Sequence, residues 1–204
     1  MEYLVLGFFT GLSLILAIGA QNVFVIEQGL KKQYIFLVCF VCSLSDFLLI
    51  FLGIFLFHFF HQYFNLFVEL TLNVLLIIFL VYFIYSKIKL ISGTISFNSE
   101  AKDISRIEIL FKTLGFTYLN AHVYSDTVFF LGNFSKNFLL NEKVYFGIGA
   151  SIASFIFFFL LGYLSAYFSK FAQNDKVWKL INLFIITFMS ALAIYIIRET
   201  IYFL

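Results

Sequence analysis

YLVLGFFTGLSLILAIGAQNVFVI, residues 3–26, runs for 24 positions without a charge. A helix that crosses the hydrocarbon core of a bilayer needs about 20 mostly apolar residues, so this stretch reads as a transmembrane helix. It does not read as a signal peptide, because Glu2 stands where a basic segment belongs and the apolar run is too long. Outward from it the pattern recurs. Tyr34 to Phe57, Leu66 to Ser86, Ile109 to Phe134, Val144 to Ser169 and Val177 to Ile197 are further spans, the first of these interrupted by Asp46. The runs are continuously apolar rather than alternating, which favours helices over a barrel. The expectation is an all-α integral membrane protein of six transmembrane helices, embedded in a lipid bilayer.

Composition agrees. Of the 204 residues 63% are hydrophobic and only 12% charged, with a mean hydropathy of +1.03, against about 45–50% and about 25% in soluble domains. A soluble body of this size would expose apolar surface that aggregates. Soluble enzymes, disordered chains and nucleic-acid binders are thereby excluded, and a net charge of +2 offers no face for a polyanion. Cys39 and Cys42 lie on one face of an apolar helix and read as small packing residues rather than a redox pair.

A polar connector, residues 87–108, separates two sets of three spans, 1–86 and 109–204, within one transporter domain covering 1–204. An odd number of spans per half forces the halves into opposite orientations, the inverted-repeat plan of many secondary transporters. The connectors holding Lys31, Lys32, Lys87, Lys89, Lys102, Arg106, Lys112, Lys170, Lys176 and Lys179 carry most of the basic charge, against Lys136, Lys143 and Arg198 on the other side. The positive-inside rule places the former in the cytoplasm and both termini outside.

Some residues do not belong in lipid. Asp46 is 12 residues past Tyr34, about 18 Å along a helix, and Asp126 lies similarly deep. A carboxylate there costs roughly 2.5–3.5 kcal/mol on insertion scales. Two of them, one per half, point to a water-filled cavity that attracts a cation, a proton or both; the bland alternative is a pair of helix-locking contacts. Gly19, Ala20, Gln21 and Asn22 interrupt the first span, and Asn120, Ala121, His122, Tyr124 and Ser125 flank Asp126. Side-chain amides there either hold a substrate's carboxylate and amine or satisfy backbone groups freed by a helix break. His122 shares a helix face with Asp126 and is a candidate proton relay or a structural histidine. Ser43 and Ser45 hydrogen-bond a substrate or the backbone one turn back. His58 and His61 read as interfacial residues, so no metal site and no cofactor motif is expected. Gly7 and Gly11 form a G-x-x-x-G that lets helices approach within the chain or between the copies of a homodimer.

Taken together, SLILAIGAQNVFVIEQGLKKQ (13–33), CSLSDFLLIFLG (42–53), TYLNAHVYSDTVFFLG (117–132) and KVWKLIN (176–182) resemble, in collinear order, the lysine/arginine exporter (LysE-type) family of bacterial inner membranes. The H-V-Y-x-D form of the third block is similar to the basic-amino-acid branch. The resemblance implies export of L-lysine, L-arginine or close analogues driven by the proton motive force, with the family's acidic positions on Asp46 and Asp126 and its motifs on Gly19 to Asn22 and Asn120 to Asp126. The family's pattern has proline in both motifs, where Ala20 and Ala121 stand here, and the chain has no proline at all. Alanine is expected to straighten both helices, because proline removes a donor and disrupts the preceding turn.

The expected activity is therefore secondary active export of a basic amino acid, without an enzymatic step. Asp46, Asp126, Gln21, Asn22, Asn120 and Tyr124 are the expected substrate-binding residues. Asp46, Asp126 and His122 are expected to couple protons, and Gly19, Ala20 and Ala121 to mark the helix breaks. Export of another small amino acid or cation, and a non-transporting subunit of a membrane complex, are the alternatives.

Overall fold

The structure, a computed structural model, describes residues 1–16, 19–63, 66–92 and 105–202. Side chains at 58–63, 66, 68, 69, 72, 86, 87, 89–92, 121, 122, 125, 199 and 202 lie outside the described set. The expectations for His58, His61, Lys87, Lys89 and the side chains of Ala121, His122 and Ser125 fall there, as does the connector around Lys102.

Every described element is helical. In chain order they are α1 (Glu2–Ile15), α2 (Ala20–Lys31), α3 (Ile35–Tyr63), α4 (Leu66–Ser92), α5 (Arg106–Tyr118), α6 (Ala121–Tyr124), a π-helical turn (Ser125–Phe130), α7 (Leu131–Phe134), α8 (Leu140–Tyr167), α9 (Ser169–Ala172) and α10 (Asp175–Tyr202). Among the described residues three helical stretches are long and apolar enough to cross a membrane: Ile35–Phe57 of α3, all of α8, and Asp175–Arg198 of α10. The pair α1 and α2 makes a fourth if it is one broken span. The run expected at 3–26 is thus not one rod: it stops at Ile15, restarts at Ala20, and the two axes meet at 84°. The run expected at 109–134 is divided among α5, α6, the π turn and α7. Helix also extends into the expected connector from both sides, to Ser92 and from Arg106.

Hydroxyls inside these apolar helices serve their own backbone. Ser43 donates to Cys39 O at 2.8 Å, Thr113 to Ile109 O at 2.7 Å, Thr117 to Thr113 O at 2.9 Å, Ser135 to Leu131 O at 2.8 Å and Ser151 to Gly147 O at 2.7 Å. Each is a bond to the carbonyl four residues back, which satisfies a hydroxyl where water is absent. Of the two readings of Ser43, the structure shows the backbone bond.

Packing centres on α8, against which α1, α2 and α3 all lie, while α10 pairs with α4. Glycine sets the closest approach. A Cβ on Gly7 would strike the carbonyl of Phe146, and one on Gly149 the carbonyl of Leu4, so the small-residue motif of α1 is engaged by α8 of the same chain. A second seam joins α3 to the π turn and α7, where a Cβ on Gly53 would lie 2.6 Å from Val128 Cα and one on Gly132 2.6 Å from Gly53 O.

The two ends of the bundle differ. At one, Tyr3 packs edge-on against Phe138 with centroids 4.9 Å apart. At the other, α2 closes in a tight turn with Lys32 and Tyr34 at φ 54° and 46°, Arg106 lies 5.8 Å over the Tyr34 ring and Lys31 lies 5.6 Å over Trp178. Just inside that end, Phe24 of α2 meets Phe116 of α5 at 4.9 Å, and Phe79 and Phe83 of α4 abut Phe116 edge-on.

Candidate functional site

The site begins at the first break. Gly19 adopts extended backbone, φ −120° and ψ −178°, and Ala20 is the first helical residue after it, with Val23 N donating to Gly19 O at 3.2 Å. Ending α1 at Ile15 orphans carbonyls that a continuous helix would pair. Asn22 reaches back across the break, its Nδ2 donating to Ile15 O at 3.2 Å. The straightening expected from alanine is therefore not seen at this break. Position 20 is where α2 starts, and the first helical position has no intrahelical partner for its N–H whether or not proline stands there. The bend rests on the extended glycine and the capping amide instead.

The second break has a similar construction. α5 ends at Tyr118, and Val123 N picks up Asn120 O at 3.1 Å as the chain restarts. Tyr124 Oη donates back to Tyr118 O at 2.9 Å. Asp126 then falls in the π-helical turn, a distortion that widens the helix and often accompanies function.

Between the breaks lies a cavity of about 300 Å³, at the lower end of the range of roughly 300–1,000 Å³ for small-ligand sites. Asp46 from α3 and Asp126 from the π turn both line it, together with the amides Gln21, Asn22 and Asn120, and Gly19 at the break. Leu14, Ile15, Ile50, Val123, Leu131 and Phe158 supply apolar wall, and Leu192, Tyr195 and Ile196 of α10 complete it. Tyr124 and Ala20, expected at the site, are not among the lining residues; the Tyr124 hydroxyl is engaged at the break and Ala20 is fully buried. The side chain of His122 lies outside the described set.

The electrostatics are one-sided. Among the described lining residues two are acidic and none is basic, so the cavity attracts cations. Asp46 is buried and accepts a hydrogen bond from Ser154 Oγ at 2.7 Å; Asp126 is partly buried. Gln21, 7% exposed, lies beside the Cys42 thiol, a weak acceptor, and its Nε2 finds no hydrogen bond of good geometry among the described residues. A small molecule with a cationic end and a carboxylate end matches this arrangement.

Sequence reasoning missed Ser154, Thr127 and Tyr195. Tyr195 and Thr127 line the cavity and Ser154 holds Asp46. The available signal for Ser154 was its place, one turn after Ser151, in the apolar middle of α8.

Comparison with known proteins adds the following. The model of the family described as LysE type translocator matches residues 12–200. The chain is 31% identical over 200 residues to the arginine exporter protein ArgO of Salmonella paratyphi A, covering 98% of this chain and 95% of that protein. It is 30% identical to ArgO of Salmonella enteritidis PT4 and 31% identical to ArgO of Salmonella typhimurium LT2, with the same coverage. No solved structure matches.

Proposed function

Because this chain belongs to the LysE type translocator family, we propose that it exports basic amino acids, arginine and lysine, across the bacterial inner membrane as a secondary transporter driven by the proton motive force. The observation that carries this reading is that Asp46 of α3 and Asp126 of the π turn, 80 positions apart in sequence, line one cavity together with three amide side chains. The similarity to arginine exporters over nearly the whole chain supports the cargo class.

The cargo's side-chain cation is drawn to the two carboxylates. Its α-carboxylate meets the Gln21 amide, while Asn22 and Asn120 complete the polar wall. Protons and cargo compete for the same two acids, so a proton taken up from outside releases the cation, which is a physical route to antiport. The cavity is exposed alternately to the two sides as the halves 1–86 and 109–204 rock about it. The two breaks, each restarting at an alanine and each capped from the following helix, support the inverted plan of six spans. The basic end near Lys31 and Arg106 faces the cytoplasm under the positive-inside rule, with both termini outside.

Counterflow of labelled arginine and labelled lysine in proteoliposomes tests this. Saturable uptake against unlabelled internal arginine is expected, abolished by Asp46→Asn and by Asp126→Asn. Equal flux in wild type and both variants removes the acids from the mechanism, and absence of wild-type flux removes the transporter reading.

A further inference from the structure

Serine and threonine inside these helices have a strong habit: Ser43, Thr113, Thr117, Ser135 and Ser151 all give their hydroxyl proton to the carbonyl one turn back. Ser154 gives its proton to Asp46 Oδ2 at 2.7 Å, from α8 to α3, across 108 positions of sequence. Ser154 is fully buried and Asp46 is 4% exposed, so the bond is made away from water, where a hydrogen bond to a charged group is worth more than a neutral one.

We propose that Ser154 is the positioning residue for Asp46, holding one carboxylate oxygen so that the other stays turned into the cavity for the cargo's cation. This inference rests on the exporter reading of the cavity and deepens it. A carboxylate rotates about χ2 in a broad, two-fold well, and one donor on one oxygen removes that freedom before the cargo arrives, so less ordering is lost on binding.

The choice of a hydroxyl has its own logic. A lysine or arginine at 154 would orient Asp46 as firmly, but its charge would neutralise the acid and cancel the attraction for a cation. A hydroxyl orients without neutralising. It also turns about its own bond to donate or accept, so the contact survives when Asp46 takes up a proton: the carboxyl then donates and Ser154 Oγ accepts. An alanine can do neither, and leaves a buried carboxylate oxygen without its donor.

Because Ser154 acts through Asp46, its effect is one of affinity. The Ser154–Asp46 bond is present before the cargo arrives, so its loss removes from binding only the pre-organisation of Asp46; a ten-fold loss of affinity corresponds to about 1.4 kcal/mol. In arginine counterflow, Ser154→Ala is expected to raise the half-saturation concentration about ten-fold while the maximal rate changes less than two-fold, with the melting midpoint in detergent a few degrees below wild type. A spectroscopic readout is independent of transport. The infrared carboxyl bands lost in Asp46→Asn identify Asp46, and these bands are expected to shift in Ser154→Ala.

Unshifted Asp46 bands in Ser154→Ala overturn the proposal, as does a maximal rate that falls with half-saturation unchanged. Wild-type protein that carries no arginine overturns the exporter reading instead, and the infrared comparison then still decides whether Ser154 holds Asp46.

Discussion

Asn22 and Ile15, seven residues apart, are joined by a side-chain amide that bonds the carbonyl at 3.2 Å across the break between α1 and α2. The contact does locally what a proline ring is often asked to do. Asn22→Ala leaves that carbonyl without its partner, at a cost of about 1–3 kcal/mol. The expected outcome is a lower unfolding midpoint for purified Asn22→Ala in detergent, with a smaller drop for Tyr124→Phe at the second break. Midpoints unchanged in both would show that the caps are incidental.

Ala20→Pro is expected to be tolerated. Residue 20 opens α2, and Gly19 before it is already extended at φ −120° and ψ −178°, the region a following proline demands. Proline at the first helical position costs little. Unfolding stability within about 1 kcal/mol of wild type is the expected result. Placed at Phe24, inside α2, proline should cost about 3 kcal/mol or more; equal penalties at the two positions would contradict the geometry of the break.

Gln21 offers a test of how the cargo lies. Gln21 lines the cavity, and its amide nitrogen has no well-formed hydrogen bond among the described residues; the α-carboxylate is its proposed partner. Gln21→Leu should weaken arginine binding about ten-fold, the value of a charge-assisted hydrogen bond. It should leave agmatine, arginine without its carboxylate, unaffected. Competition of both compounds against labelled arginine measures this, and parallel losses would place Gln21 elsewhere on the cargo or in packing alone.

Glu27 and Lys31 form an ion pair at 2.6 Å with side chains only 2% and 3% exposed. Removing one partner of a buried pair costs up to about 3–5 kcal/mol, whereas replacing both with apolar residues is often neutral. Glu27→Leu should therefore destabilise strongly, and adding Lys31→Met should recover most of the loss. Denaturant unfolding of the single and double variants reads the coupling directly. Additive losses would mean that the two side chains are stabilised independently.

Much of the helical framework was readable from hydropathy alone, because lipid leaves so few options for a backbone. The runs expected at Tyr34–Phe57 and Val177–Ile197 match the apolar stretches Ile35–Phe57 and Asp175–Arg198 within a few residues. Asp46 and Asp126 stood out because a carboxylate in an apolar run has so few explanations. A break at Gly19 and Ala20 was expected, but not its 84° sharpness. With alanine at position 20 a shallow break was the natural reading, and Gly19 alone is permissive rather than directive. Ser154 was hidden for the opposite reason: serine in an apolar helix has an ordinary explanation, the bond to its own backbone. Lys31 read as a connector charge, and the structure instead encloses it beside Glu27 with its ammonium over the Trp178 ring. The π turn around Asp126 left no mark in residue type that propensity could detect.

A bend enforced by proline is permanent, since the missing N–H cannot be restored. In this chain residue 20 keeps its N–H, so nothing covalent prevents it from pairing with the Leu16 carbonyl, its partner in an unbroken α-helix, while the Ile15 carbonyl exchanges the Asn22 amide for Gly19 N–H. The elbow between α1 and α2 is thus held by packing on α8 and by one capping amide rather than by an absent donor, and the bent geometry is kept without a proline.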